Sequence, residues 1–258
     1  MKKPKALVLC GDGINCELES EFALKQAGFE PALMHTTQLL GQSQLLKEYQ
    51  LLVIPGGFSF GDEIASGKVL AIKLKDHLRE CLDQFIEAGS LVLGSCNGFQ
   101  VLVQMGILPS APANQPHKAS LVHNSNQKFT NRWVGLDVSP GNPCLFLQGL
   151  KYIELPIRHG EGRLVVETSE KTSVKQKGCL RYREDVNGSF DRIAALTNDR
   201  GNVIGLMPHP EAFVRWTQHP AWTQKKGRRL YGSESDADPS HAPDGLAIFK
   251  NAAAVCRG

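Results

Sequence analysis

Apolar positions in the first hundred residues fall into short runs that stop at glycine, each followed by a stretch with helical spacing. Ala6-Leu7-Val8-Leu9-Cys10 ends at Gly11-Asp12-Gly13, after which Leu18, Phe22, Leu24 and Ala27 fall near helical spacing and stop at Gly28. Leu51-Leu52-Val53-Ile54 ends at Pro55-Gly56-Gly57, and Leu74, Leu78, Leu82, Phe85 and Ile86 then mark one helix face up to Gly89. The third round runs from Ser90-Leu91-Val92-Leu93 through Gly94 to Gly98, and Val101, Leu102 and Met105 continue it to Gly106. Strands that alternate with helices and are apolar throughout predict an α/β fold, with a mostly parallel central sheet flanked by helices.

Past residue 107 the runs shorten. Residues 152–157, 163–167, 192–196 and 202–207 are separated by Gly, Asn and Asp and are expected to add β-hairpins or edge strands to the sheet. From Phe213 onward the chain becomes polar and loop-rich, with Trp216, Trp222 and a basic Lys225-Lys226-Gly227-Arg228-Arg229. Residues 246–256 are expected to return as a final helix. A length of 258 residues suits one large domain spanning 1–258, with 213–258 as a loop-rich extension.

Charge and cysteine content narrow the function. With 29 Lys and Arg against 26 Asp and Glu, a formal charge of +3 gives no case for a nucleic acid or an anionic membrane as partner. The basic start followed by Ala6–Cys10 is too short for the apolar core of a signal peptide, about 7–15 residues. No run approaches the roughly 18 apolar residues of a membrane span, so a soluble, cytoplasmic protein is expected. The 7 cysteines show no CxxC pair and no zinc-type spacing with histidine, which predicts free thiols and no metal site.

Cys96 stands apart from the other cysteines. Gly94-Ser95-Cys96-Asn97-Gly98 is the thiol counterpart of the G-x-S-x-G nucleophile elbow, and it lies between an apolar strand and a helix, as that motif requires. Its tight turn strains the backbone at the nucleophile, and the flanking glycines leave room for the approach of the helix. The N–H of Asn97 is a candidate oxyanion donor, and a second is expected from the glycine turn at Gly57-Phe58. The base is sought at Pro208-His209-Pro210-Glu211, where an extended chain would turn His209 and Glu211 to one side. An imidazole oriented by a carboxylate is the partner a nucleophilic thiol needs. Among 8 histidines the only rival is His159, in Arg158-His159-Gly160-Glu161-Gly162-Arg163, a glycine-spaced loop that places His159 and Glu161 in a second tier.

These motifs, in this order, resemble the class I (triad) glutamine amidotransferases, and in particular the branch that serves purine biosynthesis. The likeness rests on Pro55-Gly56-Gly57-Phe58-Ser59-Phe60-Gly61-Asp62, Gly94-Ser95-Cys96-Asn97-Gly98-Phe99-Gln100, His159-Gly160-Glu161-Gly162-Arg163 and Met207-Pro208-His209-Pro210-Glu211, and spans roughly residues 5 to 213. It implies a flavodoxin-like fold and a catalytic set of Cys96, His209 and Glu211. It also implies oxyanion donors at Gly57 and Asn97, and glutamine binding that involves Phe58 and Gln100. The reaction implied is hydrolysis of glutamine to glutamate through a thioester. The ammonia would pass to a large synthetase subunit, with or without a small third subunit, that aminates formylglycinamide ribonucleotide. This chain would hold no cofactor, with ATP and magnesium on the synthetase. Gly61 to Lys68 supports that division: five residues rather than four separate its glycines, and Val69 stands where a P-loop needs Ser or Thr. The alternatives are another cysteine hydrolase of the same broad fold, or a catalytically silent interaction subunit in which Cys96 is merely packed.

Overall fold

In a computed structural model the described residues are 2–109, 118–225 and 242–258. The strands are β1 (Lys5–Cys10), β2 (Glu30–His35), β3 (Leu51–Ile54), β4 (Leu91–Ser95), β5 (Ala119–His123), β6 (Thr130–Val138), β7 (Tyr152–His159), β8 (Glu161–Val166), β9 (Gly178–Tyr182), β10 (Ile193–Thr197) and β11 (Val203–Leu206). The helices are α1 (Glu17–Ala27), α2 (Thr36–Gly41), α3 (Lys68–Glu87), α4 (Asn97–Gln104), α5 (Lys171–Lys177) and α6 (Asp244–Val255).

A nine-stranded sheet runs in the order β2-β1-β3-β4-β11-β10-β9-β6-β7, and β5 and β8 pair separately. The half from β2 to β11 is parallel, whereas β10, β9, β6 and β7 join antiparallel. The expected hairpin forms from β10 and β11, which pair antiparallel, and β11 also lies in the sheet interior in parallel register with β4, all four of its residues being buried. One expectation is corrected: residues 161–166 leave the main sheet for the separate pair with β5.

Alternate residues of the central strands supply two cores. Ala6 and Val8 of β1 and Leu51 and Val53 of β3 face one side, where Ala23 and Leu24 of α1 and Phe249 and Ala252 of α6 cover them. Leu7, Leu9, Leu52 and Ile54 face the other, under Leu74, Leu78 and Leu82 of α3 and Val101 and Leu102 of α4. The expected final helix is present as α6. It is tied down by Asn251 Nδ2, which donates to the carbonyls of Phe146 (3.0 Å) and Gln148 (2.8 Å), and by Asp244 Oδ2, which accepts from the Glu154 N–H at 2.7 Å. Lys225 pairs with Glu154, and the rest of the basic run, 226–229, lies outside the described residues.

The order β2-β1-β3 places a topological switch point between β1 and β3, where the segments leaving the two strands diverge and open a crevice at their carboxyl ends. Residues 11–16, 55–58, 96–97 and 207–211 all leave the carboxyl ends of parallel strands. The antiparallel half curls back to meet them, since the His209 N–H donates to the Pro156 carbonyl of β7 at 2.9 Å.

The approach of α4 to β3 has no slack. A Cβ on Gly98 would collide with the carbonyl oxygen of Ile54. Gly98→Ala should therefore cost at least about 2 kcal/mol, whereas Gly41→Ala, where added carbon would meet nothing within 4 Å, should be neutral or slightly stabilising. Urea unfolding midpoints of the two variants against the native chain measure the difference.

Candidate active site

Cys96 sits between β4 and α4 with φ 49° and ψ −103°, a left-handed backbone that a residue with a side chain rarely adopts. Its N–H donates to the Leu206 carbonyl at 2.7 Å and its own carbonyl accepts from the Gln100 N–H at 3.1 Å, so the bend is clamped from β11 and from the helix it opens. Gly94 and Gly98 are pressed together, since a Cβ on Gly94 would lie 2.7 Å from the Gly98 carbonyl carbon. The elbow thus has the geometry its spacing predicts, and Cys96 is only 6% exposed. Its Sγ lies 3.7 Å from the Arg158 carbonyl oxygen.

His209 follows β11 in extended conformation (φ −107°, ψ 91°), and its Nδ1 lies 2.5 Å from Glu211 Oε1. The two side chains do not meet by strand alternation, as expected from the sequence. Residues Pro210–Ala212 form a 3₁₀ turn, and it is this turn that swings Glu211 back under the ring. Both residues are buried. Burial alone would lower the His209 pKa, but the Glu211 carboxylate, then Cys96 and Cys16, reverse this and hold it well above the usual histidine value. The Nε2 of His209 makes no hydrogen bond.

Cys96 and His209 line a cleft of about 270 Å³, together with Cys16, Gly57, Phe58, Gln100, His159 and Glu161. The two glycine-turn residues behave differently. An antiparallel bridge between Ile14 and Gly57 uses the Phe58 N–H, which donates to Gly13 at 2.9 Å, and leaves the Gly57 N–H outside its pattern. The aromatic ring of Phe58 lies half-exposed on the cleft wall. Asn97 opens α4, so its N–H belongs to the first turn, where helices leave donors without an intrahelical partner. Gln100 reaches across with Nε2 to the Glu161 carbonyl at 2.6 Å and accepts from Asn97 Nδ2 at 3.0 Å. Glu161 in turn receives the Ser66 N–H at 3.2 Å.

His159 closes the far wall. Its Nδ1 lies 3.0 Å from Asn124 Oδ1, its Nε2 is buried without a partner, and burial, then the charge of nearby His209, lowers its pKa to about 4. Asn124 also donates to the His159 carbonyl and accepts the Gly162 N–H, so one amide side chain fixes the whole His159–Gly162 turn. Asn124 carries no signal in the sequence, and nor does Tyr182, whose buried hydroxyl is pushed up by burial and by Cys96. Cys16 was equally illegible. Its Sγ lies 3.9 Å from His209 Nδ1, and burial raises its pKa. Among the described residues, Cys16, His209 and Glu211 bring a ligand-type atom each within 4.8 Å of one another.

A buried thiol on a strand-to-helix elbow thus shares one cleft with a carboxylate-oriented imidazole at the carboxyl ends of parallel strands, an arrangement of the kind found in cysteine-dependent hydrolases and transferases. The chain belongs to the family described as the CobB/CobQ-like glutamine amidotransferase domain, whose model matches residues 3–256. It is 38% identical to the phosphoribosylformylglycinamidine synthase subunit PurQ of Dehalococcoides mccartyi, over 98% of this chain and 97% of that one. It is 40% identical to the subunit of the same name from Thermotoga maritima, over 82% and 89%. Among solved structures it superposes on a chain of the PurLQS structure from Thermotoga maritima with a TM-score of 0.74 and 34% identity, over 97% and 98% of the two chains.

The lowered pKa of His159 has a measurable consequence. The unfolded chain binds a proton at this residue near pH 6.5 and the folded chain only near 4, so the unfolded state holds more protons between these values and stability falls as pH falls through them. Roughly 3 kcal/mol should be lost in that window, and His159→Gln should remove that part of the loss. His209 is shifted the opposite way, so its contribution is already complete below pH 6.5 and does not change there. Unfolding free energies of both proteins at pH 4 and 6.5 give the comparison.

Proposed function

We propose that Cys96, His209 and Glu211 hydrolyse glutamine, and that the chain is the glutaminase subunit of a phosphoribosylformylglycinamidine synthase in purine biosynthesis. The observation that carries the residue assignment is the convergence of the strained Cys96 elbow and the buried His209–Glu211 pair, 2.5 Å apart, on one cleft. Family membership and the near full-length relatives support the subunit assignment.

In this reading Cys96 Sγ attacks the side-chain carbonyl carbon of glutamine, and its proton passes to Nε2 of His209. The developing oxyanion takes the N–H groups of Gly57 and Asn97. His209 then protonates the leaving nitrogen, which departs as ammonia and leaves a glutamyl thioester on Cys96. Water, deprotonated by the same imidazole, splits the thioester to glutamate and restores the thiol. Glu211 holds the ring so that Nε2 faces the sulfur and stabilises its charged form. Gln100, Phe58 and the Glu161 turn shape the pocket for the rest of the substrate, and His159, kept neutral, adds no competing charge beside His209.

The partners follow from the same reading: a large synthetase subunit that receives the ammonia and carries ATP and magnesium, a small third subunit, a composition that the likeness to a chain of the PurLQS structure supports, and a cytoplasmic setting.

In the assembled complex Cys96→Ala should abolish glutamine-dependent product formation, by at least about 10⁴-fold, and leave ammonia-dependent formation within about twofold. Parallel assays with glutamine and with ammonium chloride decide it, and equal loss of both overturns the assignment. A glutamine-mimicking alkylator should also modify Cys96 faster than the other cysteines, as read by peptide mass spectrometry.

A further inference from the structure

The reaction above makes no use of Cys16. This residue precedes α1, and its N–H donates to the Gly56 carbonyl at 3.2 Å. Its thiol donates to Asn15 Oδ1 at 3.3 Å and lies 3.9 Å from His209 Nδ1, on the same edge of the ring as Glu211. Gly56 packs against both, since a Cβ there would lie 2.8 Å from the ring and 3.3 Å from the sulfur. The second carboxylate oxygen of Glu211, Oε2, is buried without a hydrogen-bond partner.

We infer that Cys16 Sγ, His209 Nδ1 and the Glu211 carboxylate form a binding site for a thiophilic divalent cation, Zn²⁺ being the best fit, and that its occupation switches the glutaminase off. The donor set of one sulfur, one imidazole nitrogen and one carboxylate oxygen is a set zinc accepts with a fourth position open. Zinc bonded to S at about 2.3 Å and to N at about 2.0 Å places those atoms roughly 3.5 Å apart, close to the 3.9 Å found here. The carboxylate, at 2.5 Å from Nδ1, has to swing outward by less than about 1 Å to leave room for the ion. A thiolate and a carboxylate neutralise the double charge, so the buried complex carries no net charge. Cys16 and His209 both line the cleft, which gives the ion a route. Magnesium, which prefers an all-oxygen octahedron, does not fit.

Binding releases the Cys16 thiol proton. It also takes the Nδ1 lone pair, so the imidazole keeps its one proton on Nε2 and cannot accept the proton of Cys96. The inhibitory consequence rests on the amidotransferase reading, but the binding does not.

The test uses the full chain carrying Cys96→Ala, titrated with zinc in competition with a chromogenic chelator. One equivalent should bind, and adding Cys16→Ala or Cys16→Ser should weaken it by at least about 100-fold. Far-ultraviolet circular dichroism should be unchanged in both double variants. Should either variant unfold, the protection of Cys16 from a small thiol reagent by zinc, read in the Cys96→Ala chain, carries the test alone. Equal affinity with and without Cys16, or no protection, overturns the site. So does loss of zinc binding on Cys96→Ala alone, because the metal would then be held by the nucleophile. In the native chain micromolar zinc should stop glutamate formation, a chelator should restore it, and magnesium should do neither. A chain with no glutaminase activity in any condition would count against the proposed function and leave the zinc titration intact.

Discussion

The structure is organised around the left-handed backbone of Cys96. At φ 49° and ψ −103° a residue with a side chain is strained, at a cost of order 1–3 kcal/mol. The surroundings hold it there. The Leu206 carbonyl takes the Cys96 N–H, the pressed glycines at 94 and 98 admit no added carbon, and α4 is seated against Ile54. The same bend aims the sulfur away from the sheet and into the cleft that His209 shares. Relaxing the strand-to-helix turn would turn the thiol back among packed side chains.

What surrounds that thiol is a consequence of sheet order. Strands β1, β3, β4 and β11 are separated by long stretches of chain, yet they lie side by side and parallel, so their carboxyl ends deliver Cys16, Gly57, Cys96 and His209 to one crevice. The antiparallel half completes the enclosure. His209 is tied to Pro156 on β7, and the turn after β7 brings His159 and Glu161 to the opposite wall under the control of Asn124. The two histidines are held in opposite states by their neighbours. His209 has a carboxylate at 2.5 Å that favours its protonated form, whereas His159 has only an amide partner and is neutral at ordinary pH. Of these two histidines only His209 is held in a state that favours carrying the proton.

The chain by itself determined the elements whose burial is two-sided or whose helices carry one apolar face. Strands β1, β3 and β4 and helices α1 and α3 are legible because runs ending in glycine, and leucines spaced along one face, have no other stable arrangement. It also determined the elbow, since glycines two residues either side of a cysteine between strand and helix leave little other use for the motif. His209 was legible from its flanking prolines and following acid. Tertiary structure alone decided the place of β11, because an apolar run of four reads the same at an edge as in an interior. It also decided that a 3₁₀ turn rather than strand alternation swings Glu211 under the ring, that Phe58 spends its N–H on Gly13 while the Gly57 N–H stays outside that bridge, and that Cys16 meets His209 and Asn124 meets His159. The physical reason is common to all of these. Periodicity and turn chemistry act between residues a few positions apart, whereas contacts across 35 or 193 residues depend on which strands become neighbours, and no local pattern encodes that.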